Sequence, residues 1–254
     1  MSPFDFTDKS VIVSGGGTGI GFEIAKSFVL CGAKVTIAGR RKDVLEEALP
    51  QIKNEIPRSE NRILPSSCDM SDEKSVSSLF KTVQSVFQGI DILINNCGTW
   101  SLGQINELQD SEIDAHFNNI LKSTILATKY AAAHLGESGA IVNVGSFAGI
   151  LPMKNASIYS SFKSAINVFT RSSATELGKL GIRVNCITPG VIRTPMTSQY
   201  IDDNYDKIIE PIALGRVGSC EEVANTVLFL CSDLASYITG TVLEITGGKY
   251  MTQF

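Results

Sequence analysis

Three residues in this chain could together move a proton to or from an oxygen atom. Tyr159 and Lys163 are four residues apart, so on a helix they would share one face. Ser146 lies thirteen residues before Tyr159, and a strand ending near Ser146 could bring its hydroxyl to the same place. A phenol, an ammonium that tunes it and a hydrogen-bond donor are the groups needed to reduce a carbonyl or to oxidise an alcohol. Taken alone, the Tyr–Lys spacing would also suit an ordinary helix pair with a solvated lysine.

Short β-branched runs alternate with helical patterns along the chain. This alternation predicts βαβ units and a parallel sheet, which would position the three residues. The predicted strands are Ser10–Ser14, Lys34–Ala38, Arg62–Leu64, Asp91–Ile94, Ala140–Val144, Arg183–Ile187 and Thr241–Ile245. The predicted helices are Ile20–Leu30, Asp43–Ile56, Asp72–Phe87, Ser111–Leu135, Ser157–Lys179 and Glu221–Cys231. The segment Pro189–Ser219 is long and rich in Pro, Gly and Tyr, and we expect a functional loop there, a substrate lid at about 190–219.

A glycine-rich turn follows the first predicted strand and precedes the first helix. Its sequence from Ser14 to Gly21 does not match G-x-G-x-x-G, but it matches G-x-x-x-G-x-G through Gly15, Gly19 and Gly21. Small residues let the backbone approach a pyrophosphate, which the helix N-terminus also favours. The turn predicts a dinucleotide site, whose candidate ligands here are Gly15, Thr18, Gly19, Ile20 and Gly21.

The end of the second strand predicts which dinucleotide is preferred. An acidic residue there would bind the ribose diol of NAD, but this chain has Gly39 followed by Arg40 and Arg41. Arginine can pair bidentately with a 2′-phosphate, so NADP(H) is favoured over NAD(H). Asp69, after the third strand, could contact an adenine amino group or could cap the next helix.

Together these residues resemble the short-chain dehydrogenase/reductase family over nearly the whole chain. The matching motifs come in the family's order: Gly15–Gly21, Asp69, Asn95-Asn96-Cys97-Gly98, Ser146, Tyr159 with Lys163, Pro189-Gly190 and Thr246-Gly247-Gly248. The resemblance implies one NAD(P)-binding domain over residues 1–254, of the α/β class. It would be a Rossmann-like, doubly wound parallel sheet of seven strands with helices on both faces. It also implies a homodimer or homotetramer.

The resemblance also implies a role for each matching residue. Ser146 would bind the substrate oxygen, Tyr159 would be the general acid/base, and Lys163 would bind the nicotinamide ribose and lower the pKa of Tyr159. The remaining cofactor contacts would come from Asn95 beside the cofactor and from a carboxamide-binding segment, which contains Pro189, Gly190, Ile192 and Thr194.

Departures from the family pattern put one element of the site in doubt. Cys97, Ser14 and Thr246 replace the usual Ala, Thr and acidic residue, and the first two changes are small. The family commonly has an Asn in its fifth helix that holds a water of the proton relay, and the alignment puts Ile120 at that place. Either a local bulge re-aims the adjacent Asn119, or the relay lacks this Asn; we favour the second.

Composition narrows the classes of partner. The net charge is −4 with no long basic run, which gives no reason to expect nucleic acid. Six scattered Cys with no CxxC, and two His far from any Cys pair, favour buried thiols in a reducing compartment and no metal site. With no signal peptide before Val11 and no apolar run long enough for a membrane span, we expect a cytoplasmic protein that does not bind membranes.

The substrate is expected to be a small molecule, a hydrophobic or medium-sized ketone or secondary alcohol. Trp100, Leu151, Met153 and Met196 suggest an apolar pocket, although each could equally be core or lid packing. A 3-oxoacyl thioester and a steroid-like ketone both stay open. Two alternatives compete with this carbonyl reductase or alcohol dehydrogenase: an enoyl-thioester reductase, and a non-catalytic dinucleotide-binding regulator on the same fold.

Overall fold

The computed structural model describes residues 4–57 and 59–250, in which the predicted alternation of strands and helices is confirmed. The strands, in chain order, are β1 Ser10–Ser14, β2 Lys34–Gly39, β3 Ile63–Ser67, β4 Ile90–Asn95, β5 Leu135–Val144, β6 Arg183–Pro189 and β7 Val242–Ile245. The helices are α1 Gly19–Leu30, α2 Lys42–Glu55, α3 Glu73–Phe87, α4 Asp110–His116, α5 Ser123–His134, α6 Ser157–Leu177, α7 Ser198–Ile209 and α8 Cys220–Cys231.

All seven strands lie in one parallel sheet in the order β3-β2-β1-β4-β5-β6-β7. The chain runs outward from β1 to β3 and then returns to pair β4 with the other side of β1. At such a switch point the loops that follow two neighbouring strands turn in opposite directions, which opens a crevice at the carboxyl ends of the strands. This crevice lies beyond the ends of β1 and β4.

Helices cover both faces of the sheet, as the near-continuous apolar strands predict. In β1, Val11 and Val13 face the same apolar cluster as Phe28 of α1, whereas Ile12 between them faces the cluster that contains Phe80 of α3. Neighbouring strand residues point to opposite faces, so β1 is buried on both sides. The sheet is therefore a rigid platform for the loops at its carboxyl edge.

Two predicted segments differ from the structure. The long loop expected at Pro189–Ser219 contains helix α7, which buries Ile201 and Ile208 against Val191 and Val217. The single helix expected over Ser111–Leu135 is divided, because a π-helical segment, Phe117–Lys122, separates α4 from α5. Both differences border the crevice.

None of the helices in the described part of the chain combines the length and the apolar character needed to cross a lipid bilayer.

Candidate active site

The glycine turn between β1 and α1 has the conformation that its sequence requires. Gly15 and Gly19 have φ values of +63° and +56°, in the left-handed region that favours glycine. Asn96 fixes the turn from the neighbouring strand, because its Nδ2 donates to the carbonyls of Ser14 (3.2 Å) and Gly15 (3.1 Å). The Ser14 hydroxyl in turn accepts from the backbone N–H of Asn96 (3.0 Å).

The N-terminus of α1 opens into the crevice. Its N-cap residue, Thr18, makes no capping hydrogen bond through its side chain, and the first turn contains no acidic residue. The backbone N–H groups of that turn therefore keep their capacity for an anion. Gly15, Thr18, Gly19 and Ile20 line the cavity, whereas Gly21 is buried where α1 packs against the turn.

Two cations stand at the end of the crevice beyond β2. Arg40 and Arg41 are exposed and line the cavity, and neither guanidinium has a hydrogen-bond or ion-pair partner among the described residues. Asp69 lies beside them. Partial burial opposes its ionisation, but hydrogen bonds from the N–H and hydroxyl of Ser71 lower its pKa. Asp69 does not cap α3, because Asp72 does so by accepting from the N–H of Ser75.

Asn95, which the sequence predicts beside the cofactor, lies outside the lining of the cavity. Asn95 is the last residue of β4, is 3% exposed and does not line the cavity. Its Nδ2 donates to Asn143 Oδ1 of β5 (2.8 Å) and to Thr128 Oγ1 of α5 (3.2 Å). The next residue, Asn96, follows the end of β4 and lines the cavity instead.

The predicted trio meets at one wall of the cavity. Ser146 follows β5, and Tyr159 and Lys163 lie one turn apart on α6; all three line the cavity. The two elements approach closely at Gly149, where a Cβ would lie 2.7 Å from the carbonyl carbon of Lys163. Any larger residue at this position would separate the serine loop from the helix.

Burial shifts the pKa values of Tyr159 and Lys163 in opposite directions. It raises the pKa of Tyr159, while a hydrogen bond with Ser146 acts in the opposite direction. It also lowers the pKa of Lys163 to about 8. The ammonium donates to the carbonyl of Val144 (2.7 Å) and lies 5.9 Å from the centre of the Tyr159 ring. Desolvation is the larger effect on the phenol, so the pKa of Tyr159 stays above its ordinary value in spite of the hydrogen bond with Ser146.

Of the two alternatives for Asn119, the π-helical segment matches the local bulge, which was the less favoured from the sequence. Asn119 lines the cavity with the trio, and its Nδ2 donates to the carbonyl of Ala115 (2.8 Å). Ile120 is 1% exposed and packs with Ile166 and Cys186 in the core. A π-helical turn accommodates an extra residue, so the bulge gives both side chains their opposite directions.

The segment after β6 forms the roof of the cavity. All four residues of the predicted carboxamide-binding set line it: Pro189, Gly190, Ile192 and Thr194. Thr194 also reaches the glycine turn, because a Cβ on Gly19 would lie 3.4 Å from the Cβ of Thr194. The cavity thus runs from the arginine pair, past the turn and the trio, to this segment.

Several residues that line the cavity were not predicted from the sequence. The largest is Tyr200 of α7, whose ring lies edge-on to Trp100 with 5.7 Å between the centroids. A helical pattern with Ile201 and Ile208 one heptad apart is the signal that could have located α7 and Tyr200. The whole cavity has a volume of about 540 Å³.

Comparisons with known proteins give consistent matches over nearly the full chain. A family model described as enoyl-(acyl carrier protein) reductase matches residues 15–249. A 3alpha-hydroxysteroid dehydrogenase from Mediterraneibacter gnavus is 34% identical over 242 residues, which are 94% of this chain and 96% of that protein.

Two solved structures are also similar. A short chain dehydrogenase from Burkholderia cenocepacia J2315 in complex with NADP has a TM-score of 0.87 at 32% identity, covering 96% of this chain and 98% of its own. A 3-ketoacyl-(acyl-carrier-protein) reductase from Brucella melitensis complexed with NADH has a TM-score of 0.88 at 28% identity, covering 96% and 99%.

Proposed function

Because the chain belongs to the short-chain dehydrogenase/reductase family, we propose that it interconverts a ketone and a secondary alcohol with NADP(H). The observation that carries this proposal is that Ser146, Tyr159 and Lys163 line the same cavity as the glycine turn. An acid/base group and a dinucleotide-binding turn in one cavity are what hydride transfer to a carbonyl requires.

The residues of the crevice fit a dinucleotide. The uncapped N-terminus of α1 offers N–H groups to a pyrophosphate, and the glycines of the turn let it approach the backbone. Pro189, Gly190, Ile192 and Thr194 would hold the nicotinamide end. A bound nicotinamide would supply or accept the hydride.

The preference for NADP(H) rests on the end of β2. Gly39 leaves no carboxylate for the ribose diol, and the free guanidinium groups of Arg40 and Arg41 suit a 2′-phosphate. The two similar solved structures hold NADP in one case and NADH in the other, so these residues of the chain itself carry the preference.

The trio would handle the proton. In the reduction direction the Ser146 hydroxyl would donate to the carbonyl oxygen as negative charge develops, and the Tyr159 hydroxyl would deliver its proton there. In the oxidation direction Tyr159 must lose a proton, which its raised pKa opposes. The buried ammonium of Lys163 and a cationic nicotinamide ring would both favour the phenolate.

Asn119 is the proposed fourth member of the site. It lines the cavity with Tyr159 and Lys163, and its backbone carbonyl accepts from the hydroxyl of Ser123 (2.8 Å). Its role would be to orient a relay of protons behind Lys163. The structural bulge supports this role in spite of Ile120 at the aligned position.

The segment at about 190–219 is proposed to act as a substrate lid. It contains α7, which contacts the loop after β4 through the Trp100–Tyr200 ring pair. Ion pairs fix both ends of the segment: Arg193 with Asp202 (2.7 Å) and Arg216 with Glu222 (2.6 Å). Movement of α7 would open and close the substrate end of the cavity.

The proposed substrate is a hydrophobic or medium-sized ketone. A steroid-like ketone and a 3-oxoacyl thioester are both supported by the names of similar proteins. The description of the matching family model favours an enoyl-thioester reductase, which would reduce enoyl thioesters and no ketones. The complete trio argues against a non-catalytic regulator, since a sensor need not keep it.

Residues 1–254 are proposed to act as one NAD(P)-binding domain, although residues 1–3, 58 and 251–254 lie outside the described residues. A homodimer or homotetramer and a cytoplasmic location stay predictions.

The decisive experiment is Tyr159→Phe, assayed with NADPH and NADH against ketones, 3-oxoacyl thioesters and enoyl thioesters. We expect kcat to fall by at least about 100-fold, because a positioned general acid contributes 10²- to 10⁴-fold. Tyr237→Phe is the matched control, since it removes the same atom from a fully exposed side chain. A Tyr159→Phe protein that keeps most of its activity would show that the mechanism is wrong.

A further inference from the structure

The substrate end of the cavity is lined by apolar and aromatic side chains. Trp100 comes from the loop after β4, Met153 from the loop before α6, and Met196 and Tyr200 from the segment at about 190–219. The backbone N–H of Gly103 donates to the carbonyl of Asn155 (2.8 Å), which ties the first loop to the second. These three segments border the opening through which a substrate must enter.

Two of the bordering segments are strongly acidic. Residues 99–121 and 196–210 together contain eight Asp or Glu and one Lys, whereas the rest of the chain contains eighteen Asp or Glu and twenty-one Lys or Arg. The cations Lys122, Lys154, Arg193 and Arg216 lie beside these ranges, and with them the border has a net charge of −3 out of −4 for the whole protein. The carboxylates are Glu107, Asp110, Glu112, Asp114, Asp202, Asp203, Asp206 and Glu210.

These carboxylates are largely uncompensated. Asp202 pairs with Arg193 (2.7 Å), but the other seven have no ion-pair partner among the described residues. Asp203 lies one turn after Tyr200 on α7, and it accepts a hydrogen bond from the neutral Gln199 (2.9 Å). An excess of negative charge thus lies on the segments that border the mouth of the pocket, although none of the eight carboxylates lines the cavity itself.

Helix α4, which carries three of these carboxylates, is connected to the loop that holds Trp100. The imidazole of His116 lies 3.4 Å from the hydroxyl of Ser101, and its other nitrogen lies 2.8 Å from the carbonyl of Glu112. His116 is 4% exposed, so this connection between α4 and the loop that holds Trp100 is buried. The acidic helix therefore belongs to the border of the pocket.

The cations of the cavity lie elsewhere. Among the described residues that line it, Arg40 and Arg41 stand at the end beyond β2, and Lys163 is buried against the carbonyl of Val144. Phosphate groups are thus favoured at one end of the cavity and opposed at the other. No cation among the described residues that line the cavity stands near Trp100 and Tyr200. Lys154 follows Met153 and is exposed, but it does not line the cavity.

We propose that the substrate is a free, uncharged or cationic ketone with an apolar body, and that the acidic border selects against substrates attached to an anionic carrier. This inference rests on the proposed function and narrows it. It separates the chain from reductases whose substrates are bound to a carrier protein or to coenzyme A, although their fold is similar.

A pair of matched dyes tests the charge selection without turnover. N-phenylnaphthylamine and anilinonaphthalene sulfonate share their rings and differ by one sulfonate. In protein saturated with NADP⁺ at about 10 mM salt, the neutral dye should bind about tenfold more tightly, and about 300 mM salt should reduce the difference. Trp100→Ala should weaken both dyes. Equal affinities at low salt would overturn the proposal.

Variants that remove carboxylates test whether residues 196–210 cause the difference in dye binding. Asp203→Asn combined with Asp206→Asn should strengthen binding of the sulfonate dye severalfold and leave the neutral dye unchanged. Asp233→Asn is the control for the single variant Asp203→Asn, since each removes one charge. Asp233 follows Ser232, whose carbonyl accepts from Arg183 at the opposite, amino end of the sheet. An equal effect of the control would refute the assignment to residues 196–210.

Turnover gives the second arm. With NADPH, kcat/KM should be about tenfold lower for acetoacetyl-coenzyme A than for the neutral acetoacetyl-N-acetylcysteamine thioester at low salt, and higher salt should bring the two together. An equal or higher value for the coenzyme A thioester would overturn the inference. If neither thioester nor any ketone is reduced, the proposed function fails, while the dyes still decide the charge selection.

Discussion

Replacing Lys163 with Met should remove most of the activity and yet stabilise the fold at neutral pH. The ammonium is 5% exposed, and burial lowers its pKa to about 8 from an ordinary value of 10.5. At about pH 7 the folded protein carries a buried charge that the unfolded chain carries in water. Each pKa unit corresponds to about 1.4 kcal/mol, so this burial costs about 3 kcal/mol of unfolding free energy.

Removing Lys163 relieves this burial cost but also removes a hydrogen bond. Methionine cannot donate to the carbonyl of Val144, and a hydrogen bond of this kind contributes about 1 kcal/mol. The expected net stabilisation by Lys163→Met is therefore about 2 kcal/mol at about pH 7.

The sign of the pH dependence follows from the lowered pKa. Between pH 8 and pH 10.5 the unfolded chain binds more protons at Lys163 than the folded protein does. The stability of the wild type should therefore rise relative to the variant as the pH increases through this window. At about pH 10 the burial penalty falls below about 1 kcal/mol, and the advantage of the variant should disappear.

Urea unfolding of both proteins at one protein concentration, from about pH 7 to about pH 10, measures this difference. Lys179→Met is the control, because Lys179 is exposed and its removal should change stability by less than about 0.5 kcal/mol at every pH. A difference between wild type and Lys163→Met that does not change with pH would refute a buried ammonium with a lowered pKa.

Two further predictions concern the ends of the site. Arg40→Ala should raise KM for NADPH by about 10- to 100-fold and change KM for NADH by less than about twofold, since hydrogen bonds to a charged group contribute about 1.5–3 kcal/mol. Arg41→Ala, measured in parallel, tells which guanidinium binds the 2′-phosphate. Equal losses with NADPH and NADH would exclude this role. Asn119→Ala should lower kcat by at least about tenfold, whereas Asn118→Ala, at a position that does not line the cavity, should leave it nearly unchanged. Equal effects of the two Asn variants would indicate a loss of helix structure rather than of a proton relay.

The sequence predicts the platform and the trio well because both depend on local patterns. The glycine turn needs φ values that only glycine adopts easily, and Gly15 and Gly19 have them. The i, i+4 spacing of Tyr159 and Lys163 alone determines that they share a helix face. Their meeting with Ser146 was also predictable, because parallel strands bring the loops at their carboxyl ends to one edge.

Asn95 shows what a motif cannot predict without a register. The two adjacent Asn residues have identical side chains, and only their position relative to the end of β4 decides which one faces the cavity. The strand ends at Asn95, whose side chain is taken up by Asn143 and Thr128. The pairing of β4 with β5 fixes this choice, and the motif itself does not contain it.

Asn119 and Ile120 show that the direction of a helical side chain also depends on structure beyond the motif. At 3.6 residues per turn, an aligned position predicts a direction only while the helix stays regular. One additional residue in a π-helical turn shifts the phase of everything before it relative to everything after it. Ile120 then packs on Ile166 in the core, while Asn119 faces the cavity. The apparent loss of a polar residue at the site is therefore a shift of helical phase. The apolar side chain of Ile120 is itself a sign of this shift, since an isoleucine suits a position in the core better than one in the polar wall of the cavity.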